Sequence, residues 1–455
     1  MKILILAAGQ GKRMKSKMPK VAHKILDKPM INWVIDVAKQ LSKDIGVVLG
    51  NGIEQVKKLL DDDIKIFEQK ERLGTGHAVM SAEQFIDNNE DILILYGDVP
   101  FLSKSTLDSL IKVHQENDNE ATILTIELED PTGYGRIIKK GNEFIKIVEE
   151  KDTKAEEKEI KEVYTGIAIY KGEKLKRALK NITPQNAQGE YYLTDVFRYF
   201  KKVKIVKTDR EIEVAGVNDR VQLANLEKKI RKEILTNHML NGVTIIDPDT
   251  TYISPDVEIG IDTIIHPQTY IFGNSRIGQN CEIGPMTRIK KCVIENDVKI
   301  IRSECELSEI KSNVSIGPFS RLREGTIIEE GVKIGNFVET KKTHVSKNSK
   351  AQHLTYLGDT YVGEEVNIGA GTITCNFDGE KKNKTYIDDK SFIGSNTSLV
   401  APIKIGKNSL IGAGSVITKD VPENSLALGR AHQVNKEGWL LEKSIQKVQN
   451  IKKGE

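Results

Sequence analysis

The sequence is poor in aromatic residues and has no long hydrophobic run. Phe, Trp and Tyr make up 5% of the 455 residues, whereas hydrophobic residues of all kinds make up 38%. The core must therefore be built mostly from aliphatic side chains, as in folds that repeat Ile, Val and Gly. No apolar run approaches the roughly 18 residues of a membrane-spanning helix, so we expect no membrane span. No polar cleavage region follows the first apolar residues, so we expect no signal peptide.

Cysteine is also scarce, and the charges nearly cancel. The four cysteines form no C-x-x-C pair and no zinc spacing, which favours reduced, partly buried thiols in a cytoplasmic protein. Cys375 is close in sequence to His353, so a Cys-His nucleophile is a second interpretation of that region. The net charge of +3 gives no reason to expect a nucleic-acid groove, although it is compatible with small anionic ligands.

Apolar strands alternate with helical patterns in the first half of the chain. Strands are predicted at 3–9, 45–50, 64–67 and 92–96, and helices at 29–41, about 77–85 and about 105–114. This alternation predicts an α/β layer with a largely parallel sheet. Ligands of such sheets bind at the carboxyl ends of the strands, which is where we expect a site.

A small-residue loop, Gly-Gln-Gly-Lys-Arg-Met at 9–14, follows the first strand. Its exposed N–H groups suit phosphate oxygens, and Arg13 and Lys20 add positive charge nearby. The loop is not a Walker motif, and Met14 occupies the third glycine position of a dinucleotide fingerprint. An ordinary strand-to-helix turn is therefore the alternative interpretation.

Asp98 ends an apolar strand within Tyr-Gly-Asp at 96–98, where a carboxylate has no packing role. One interpretation is a helix cap. The other is a ligand for Mg²⁺, which binds through one or two carboxylates together with substrate phosphates. Gln69 and the Gly-Thr-Gly turn at 74–76 provide an amide and free backbone groups that can recognise the edge of a base.

The second half carries a hexapeptide rhythm. Ten Ile-Gly or Val-Gly pairs lie between Ile259 and Gly412, several of them six or eighteen residues apart. The aliphatic residue of each pair is expected to point into a β-helical prism, in which three hexads form one coil. Residues 332–377 interrupt the rhythm with Lys, His, Tyr and Asn that a purely structural coil does not require, so we expect chemistry there.

Between the two halves, residues 220–240 place Leu223, Leu226, Ile230 and Ile234 at helical spacing. We predict a linker helix with a solvated cationic face, in preference to a nucleic-acid-binding helix. The resulting domain prediction is 1–219 for the α/β domain, 220–249 for the linker, 250–435 for the β-helix and 436–455 for the tail. The Lys-rich tail is expected to form a short helix or a frayed end.

Two sets of motifs together resemble one family. Residues 1–219 resemble sugar-phosphate nucleotidyltransferases in the pattern L-x-x-G-x-G-x-x-M followed by P-K and G-D. Residues 250–435 resemble left-handed β-helix acyltransferases. With K-A-Q-H-L-T-Y-L-G-D at 350–359 and N-I-G-A-G-T-I-T-C-N at 367–376, the chain resembles the bacterial bifunctional uridyltransferase/acetyltransferases that make UDP-N-acetylglucosamine. The resemblance implies a Rossmann-like α/β nucleotidyltransferase domain followed by a left-handed parallel β-helix of hexapeptide repeats.

For the first domain, the resemblance implies uridyl transfer from UTP to N-acetylglucosamine 1-phosphate. The implied UTP-binding residues are Leu6, Ala7, Ala8, Gly9, Lys20, Gln69, Gly74 and Thr75. Those implied around the sugar nucleotide are Tyr96, Gly97, Asp98, Gly135, Glu149, Tyr164 and Asn218. Arg13 is the implied catalytic residue, and Asp98 with Asn218 is the implied Mg²⁺ site.

For the second domain, the resemblance implies acetyl transfer from acetyl-CoA to the amine of glucosamine 1-phosphate, with His353 as the base and Glu339 orienting it. The residues implied to bind glucosamine 1-phosphate are Arg323, Lys341, Tyr356 and Asn367. Those implied to bind acetyl-CoA are Ala370, Asn376, Phe377, Ser395, Ala413 and Arg430. The resemblance also implies a homotrimer with acetyl sites between chains, and a product used for peptidoglycan and lipopolysaccharide.

Three positions depart from the family pattern. Lys12 replaces a usual Thr, Tyr164 a usual Asn at the sugar, and Phe377 a usual Tyr. Two other functions are alternatives. One is a single-activity nucleotidyltransferase whose β-helix is structural or regulatory, as in ADP-glucose pyrophosphorylases. The other is a scaffold subunit without catalysis, which resembles the exchange subunits of translation factors. His353 with its cationic neighbours argues against the first, and the intact loop with Asp98 against the second.

Overall fold

The computed structural model describes residues 1–50, 52–116, 118–141 and 143–453. Contacts divide the chain into two compact units, Met1–Thr236 and Asn237–Glu455. The division falls within the helix Arg220–Leu240, which lies in the segment predicted as the linker.

The first unit is built on a mixed sheet with helices packed around it. Its strands are β1 (Lys2–Ala7), β2 (Lys24–Ile25), β3 (Lys28–Pro29), β4 (Ile45–Leu49), β5 (Lys65–Glu68), β6 (Asp91–Tyr96), β7 (Ala121–Glu127), β8 (Gly135–Lys140), β9 (Glu143–Val148), β10 (Glu162–Lys171) and β11 (Val203–Thr208). Its helices are α1 (Met30–Lys39), α2 (Ile53–Lys57), α3 (Thr75–Met80), α4 (Lys104–Glu116), α5 (Ala155–Lys158), α6 (Gly172–Leu179), α7 (Glu211–Val214) and α8 (Arg220–Leu240). Short 3-10 turns occupy Lys12–Met14, Lys20–Ala22, Glu83–Phe85, Glu150–Asp152 and Leu193–Tyr199.

The strand order is β11-β7-β10-β6-β1-β4-β5, with β1 parallel to both of its neighbours. The prediction of a largely parallel sheet needs one correction, because β10 runs antiparallel to both β6 and β7. A second correction concerns the helix predicted at about 77–85, which consists of α3 and the separate turn Glu83–Phe85. Helix α1 buries the predicted apolar face, including Ile31, Val34 and Ile35, against the sheet.

The second unit is a prism of short parallel strands stacked in three faces. The first face contains Thr244–Ile245, Ile264–Ile265, Glu282–Ile283, Lys299–Ile300, Ser315–Ile316, the first part of Lys333–Lys341 and of Lys350–Gly358, Asn367–Ile368, Phe392–Ile393, Leu410–Ile411 and Leu426–Ala427. The second contains Tyr252–Ile253, Tyr270–Phe272, Arg288–Lys290, Glu304–Glu306, Arg321–Leu322, the second part of the same two long strands, Ile373–Cys375, Ser398–Val400 and Val416–Ile417. The third contains Glu258–Ile259, Arg276–Ile277, Val293–Ile294, Ser308–Ile310, Thr326–Ile328, His344–Val345, Thr360–Val362, Thr385–Ile387 and Ile403–Ile405.

The hexapeptide pattern explains this prism. The aliphatic residue of each pair points inward, so Ile283, Ile316 and Ile393 are buried, and the following residue turns the corner. Glycine is required where successive coils touch: a Cβ on Gly369 would lie 2.6 Å from both the Ile393 carbonyl oxygen and the Ser395 nitrogen. Coil packing and the Ile-Gly spacing therefore impose the same register.

Three further sequence predictions concern the tail, the cysteines and membrane spans. The tail forms a helix, α9 (Trp439–Lys453). All four cysteines are free thiols, three of them buried and Cys375 half-buried. Across the described ranges, no helix is long and apolar enough to cross a membrane.

Candidate active sites

A cavity of about 550 Å³ opens in the first unit where β1 and β6 end. These strands are parallel neighbours, so their carboxyl ends meet at one edge of the sheet, where ligands of α/β folds bind. The cavity is lined by Leu6, Ala7, Ala8, Gly9, Gln10, Lys12, Lys20, Val21, Gln69, Arg72, Gly74, Thr75, Ala78, Tyr96, Asp98 and Glu190. The structure thus brings together at one cavity all eight residues predicted to hold UTP.

The loop after β1 is held in a fixed conformation at the mouth of this cavity. Gly11 is left-handed, with a φ of 59°, and a Cβ there would lie 2.7 Å from the Cβ of Lys20. Met14 is buried, and its carbonyl oxygen accepts a hydrogen bond from Arg220 Nε at 3.1 Å. Arg13, the predicted catalytic residue, is exposed and is not among the residues that line the cavity.

Lys20, Asp98 and Asn218 converge at one point. The Lys20 ammonium forms an ion pair with the Asp98 carboxylate and lies 3.5 Å from the Asn218 side-chain oxygen. Asn218 reaches this position because the Val217 N–H donates to the Asp98 carbonyl at 3.0 Å.

The donor set of Asp98 and Asn218 fits Mg²⁺. Their two oxygens already face one positive charge, and Mg²⁺ takes such hard oxygen ligands together with substrate phosphates. Within the described ranges, no group of three or more His, Cys, Asp or Glu forms a metal cage. A Mg²⁺ ion held by these two oxygens would take its other ligands from substrate phosphates and water.

Gln69, Gly74 and Thr75 form another part of the cavity wall. The Gln69 side-chain amide donates to the Gly74 carbonyl at 3.1 Å, and its backbone N–H donates to Leu49 at 2.8 Å. Gly74 has a φ of 106°, and a Cβ there would lie 2.5 Å from the Tyr191 carbonyl oxygen. The Thr75 hydroxyl accepts from the Leu193 N–H at 3.0 Å. This wall is rigid and polar, as recognition of a base edge requires.

Three other residues predicted around the sugar nucleotide, Gly97, Gly135 and Glu149, are not part of the cavity lining. Gly97 donates its N–H to the Leu6 carbonyl at 3.0 Å, and Gly135 packs against Ile147. The Glu149 carboxylate accepts a hydrogen bond from the Thr194 hydroxyl at 2.8 Å. Burial raises the pKa of Glu149 above its ordinary value, and the hydrogen bond from Thr194 opposes that shift.

Tyr164, also predicted at the sugar, is a core residue in this structure. Its side chain is buried, its ring meets Phe197 edge-on with centroids 5.9 Å apart, and its hydroxyl donates to the Gly166 carbonyl at 2.8 Å. These contacts give Tyr164 a packing role, and its contact with the sugar stays a prediction.

In the second unit, residues from successive coils form a polar cluster on the second face of the prism. Arg323 donates to the Glu339 carboxylate at 2.8 Å, and Glu339 lies in register beside Tyr356. Lys341 forms an ion pair with Glu324 at 3.0 Å. Arg323, Lys341 and Tyr356, all predicted to bind glucosamine 1-phosphate, therefore lie on three consecutive coils.

The predicted acetyl-CoA residue Asn376 joins this cluster. Its amide donates to the Asp359 carboxylate at 2.6 Å and lies 3.5 Å from the Tyr356 hydroxyl. Asn376 is buried, so its amide is fixed in direction. Asn367, the fourth residue predicted at the sugar phosphate, is half-buried on the first face, in register with Lys350.

His353 is exposed at a corner of the prism, in register with Asn336. Its carbonyl accepts from the Gly371 N–H at 3.3 Å, whereas its ring has no hydrogen-bond partner among the residues described. Glu339, expected to orient His353, instead accepts its hydrogen bond from Arg323. No hydrogen bond joins Cys375 to His353 in the described part of the chain, so the Cys-His interpretation gains no support.

Four of the remaining predicted acetyl-CoA residues lie along this edge of the prism, whereas the fifth, Phe377, follows Ile373–Cys375 of the second face. Ala370, Ser395 and Ala413 follow the stacked strands Asn367–Ile368, Phe392–Ile393 and Leu410–Ile411. Arg430 donates to the Ala413 carbonyl at 2.8 Å. Phe377 is exposed, with the Lys382 ammonium 4.7 Å from the centre of its ring.

Besides Lys12, two charged residues of the first cavity have no predicted role in binding. Arg72 and Glu190 line it, yet they lie in segments that the sequence marks only as polar. Their positions depend on how two distant loops fold over the cavity, as when Gly76 donates to the Tyr191 carbonyl at 2.7 Å. Residue spacing carries no signal of that kind.

Comparison with known proteins agrees with both halves of this description. Residues 3–142 match the MobA-like NTP transferase domain, and residues 384–419 match the bacterial transferase hexapeptide of six repeats. The "Bifunctional protein GlmU" of Thermosipho africanus (strain TCF52B) is 59% identical over 443 residues, which cover 97% of this chain and 98% of the relative. The protein of the same name from Caldanaerobacter subterraneus subsp. tengcongensis is 50% identical over 457 residues, which cover 99% and 98%.

The fold and the two sites define a nucleotidyltransferase joined to a hexapeptide acyltransferase, with a left-handed parallel β-helix as its second domain. More narrowly, the chain belongs to the family of the bifunctional protein GlmU. It is a bifunctional enzyme with uridyltransferase and acetyltransferase activities, as the sequence motifs predicted.

Proposed function

We propose that the two sites act in sequence on one sugar phosphate. The β-helical site transfers acetyl from acetyl-CoA to the amine of glucosamine 1-phosphate. The α/β site then transfers uridyl from UTP to the N-acetylglucosamine 1-phosphate so formed, and pyrophosphate leaves. The observation that carries the proposal is the cavity where β1 and β6 end, because every predicted UTP residue lines it around the Lys20–Asp98 pair.

In uridyl transfer, a phosphate oxygen of the sugar phosphate attacks the α-phosphorus of UTP, and the bond to the β-phosphate breaks. Both reactants are anions, so the residues must mainly supply positive charge and N–H donors. We assign this role to Lys20, Arg13 and the loop at 9–14. The rigid wall of Gln69 and Gly74 holds the uracil, and Glu149 accepts a hydrogen bond from a sugar hydroxyl.

Asp98 and Asn218 are the proposed ligands of Mg²⁺. When bound, Mg²⁺ neutralises phosphate charge and orients the phosphates for in-line attack. Lys20 occupies the position between these ligands in this structure, and we propose that its ammonium turns to the phosphates when substrate is present.

In acetyl transfer, the sugar amine attacks the thioester carbonyl carbon, the C–S bond breaks and CoA leaves as a thiolate that then takes up a proton. Imidazole accepts a proton near neutral pH, and the exposed ring of His353 is free to take one from the amine. Arg323 and Lys341 hold the sugar phosphate, with Tyr356 and Asn367 at the sugar. Phe377, Arg430 and the edge at Ala370, Ser395 and Ala413 hold CoA.

We further propose a homotrimer in the cytoplasm. Residues predicted for one acetyl site are spread over two faces and an edge of the prism, which supports a site completed by a neighbouring chain. UTP and acetyl-CoA are cytoplasmic metabolites, which supports the location. The product suits the synthesis of peptidoglycan and lipopolysaccharide.

Mass spectrometry of the reaction products tests both activities at once. With glucosamine 1-phosphate, acetyl-CoA, UTP and Mg²⁺, we expect UDP-N-acetylglucosamine, and without UTP we expect N-acetylglucosamine 1-phosphate to accumulate. Lys341→Met should stop the acetyl step but still convert added N-acetylglucosamine 1-phosphate to UDP-N-acetylglucosamine, whereas Lys333→Met, an exposed lysine of the same strand, should leave both steps unchanged. Uridyl transfer without acetyl transfer would support a single-activity enzyme instead.

A further inference from the structure

Lys12 adds a cation to the nucleotide cavity from the loop at 9–14, and the proposed mechanism assigns its side chain to no particular phosphate. It lines the cavity from the loop that follows β1, next to Lys20. It is exposed, and it has no ion pair within the part of the chain that the structure describes. The family that the chain resembles usually has a neutral Thr at this position, so Lys12 adds a positive charge to that pattern.

The backbone around Lys12 is held from both sides. Gly11 packs directly against the Lys20 side chain, where a Cβ would come within 2.7 Å. Two residues beyond Lys12, Met14 is buried and bound through its carbonyl to Arg220. The Lys12 carbonyl itself accepts the Lys15 N–H at 3.2 Å. The lysine side chain therefore extends from a fixed point at the mouth of the cavity.

Lys12 differs from Lys20 in having no carboxylate partner among the described residues. In this structure Lys20 forms an ion pair with Asp98, which it must leave before it can turn to a phosphate. The other lining cation, Arg72, lies near Gln69 and Gly74, on the wall assigned to the base. Lys12 instead belongs to the glycine loop, whose N–H groups suit phosphate oxygens.

We propose that the Lys12 ammonium binds the β- and γ-phosphates of UTP. The inference rests on the proposed uridyltransferase site and deepens it. The γ-phosphate is present in UTP and absent from UDP and UMP. A contact from Lys12 must therefore strengthen binding progressively along the series UMP, UDP and UTP.

Equilibrium binding of UMP, UDP and UTP to the full-length protein tests this inference, by calorimetry with and without Mg²⁺. Lys12→Thr restores the family's residue and is expected to weaken UTP binding about fivefold, as suits a solvent-exposed charge pair. UMP binding should change less than about twofold. Lys17→Thr removes an exposed lysine of the same segment that does not line the cavity, so it should change neither affinity by more than about twofold. Lys12→Arg should retain tight UTP binding.

Three results would overturn the role of Lys12. These are an unchanged UTP affinity in Lys12→Thr, an equal loss for UMP and UTP, or the same loss in Lys17→Thr. Failure of the proposed site looks different, because the unaltered protein would then bind no UTP. Circular dichroism and thermal unfolding of each variant, compared with those of the unaltered protein, show whether the first unit is folded.

Discussion

Replacing Asp98 by Ala removes the carboxylate that faces the Lys20 ammonium at the end of β6. The backbone need not move, because the Asp98 carbonyl still accepts the Val217 N–H. The change leaves Asn218 as the remaining proposed oxygen ligand of Mg²⁺, and it leaves Lys20 without its ion-pair partner. Uridyl transfer should therefore suffer from the loss of the metal, and the first unit should lose some stability.

The size of both effects can be estimated. Loss of one preorganised electrostatic group in an active site lowers kcat by about 10²–10³. Removing one partner of a fully buried ion pair lowers the free energy of unfolding by about 3–5 kcal/mol. The Lys20–Asp98 pair is partly exposed and Lys20 can turn to water, so we expect a loss of about 2 kcal/mol. For a unit of this size that corresponds to a fall of about 4–8 °C in Tm. Acetyl transfer should change less than about twofold, since its residues belong to the other unit.

Two assays on one preparation measure the outcome. Pyrophosphate release reports uridyl transfer, and the free thiol of CoA reports acetyl transfer. Asp98→Asn serves as the matched variant, because it keeps the volume and one oxygen donor but removes the charge. Asp36→Ala, which breaks the exposed pair with Lys28, controls for a general effect of losing an aspartate in the first unit.

The reasoning would be refuted if Asp98→Ala, with circular dichroism like that of the parent, lost both activities to a similar degree. It would equally fail if uridyl transfer persisted at the parental rate, because the proposed metal ligand would then be dispensable. An intermediate rate in Asp98→Asn would indicate that an oxygen donor without charge still positions the metal.

Three further predictions follow from the same contacts. Because burial raises the pKa of Glu149, ionising its carboxyl in the folded protein costs stability, which is lost as pH rises above the ordinary pKa of 4.5; Glu149→Gln should therefore raise Tm at pH 7 but not at pH 4, unlike the exposed Glu143→Gln. Tyr164→Asn should lower the unfolding free energy by about 2–4 kcal/mol, because it removes a buried ring, whereas a fully stable variant with a higher kcat/KM for the sugar phosphate would support a contact between Tyr164 and the sugar. Mixed trimers of His353→Ala and Arg430→Ala chains should recover acetyl transfer that neither parent shows, whereas well-mixed trimers without activity would remove Arg430 as a partner in trans.

The β-helix was the more predictable half, because its pattern repeats. Each coil reuses the same positions, so the Ile-Gly pairs alone indicate which residues point inward. Arg430 and Ala413, predicted together for CoA, do touch in the structure, since they lie about one coil apart. The repeat does not determine which partner a charged residue selects on the surface. Glu339 accepts a hydrogen bond from Arg323 and not from His353, because Arg323 lies close to it on the preceding coil.

The first unit was predicted best where glycine or proline fixes the backbone, and least well where a strand is irregular. The loop at 9–14 and the turn at 74–76 lie where the motifs placed them. Strand β10, by contrast, shifts its register against β7 between Tyr164 and Ala168. Such a shift breaks the alternation of side chains between the two faces of a sheet. The sequence therefore gave no means of telling whether Tyr164 faces the sugar or the core.

One segment of the β-helix departs from the repeat and is nevertheless well ordered, namely the loop from Asn376 to Lys384. The Asn383 N–H donates to the Asn376 carbonyl at 2.7 Å, which closes the loop at its base. Within it, the N–H groups of Lys381 and Glu380 lower the pKa of Asp378 to about 2. The lowered pKa of Asp378 adds stability at pH values above its ordinary pKa of 3.8, and this stability is lost only as pH falls toward about 2. The loop therefore keeps these hydrogen bonds at every pH at which enough of the sugar amine is unprotonated to react. If Phe377 contacts CoA as proposed, it does so from a preformed loop, and we expect no ordering of that loop to accompany binding.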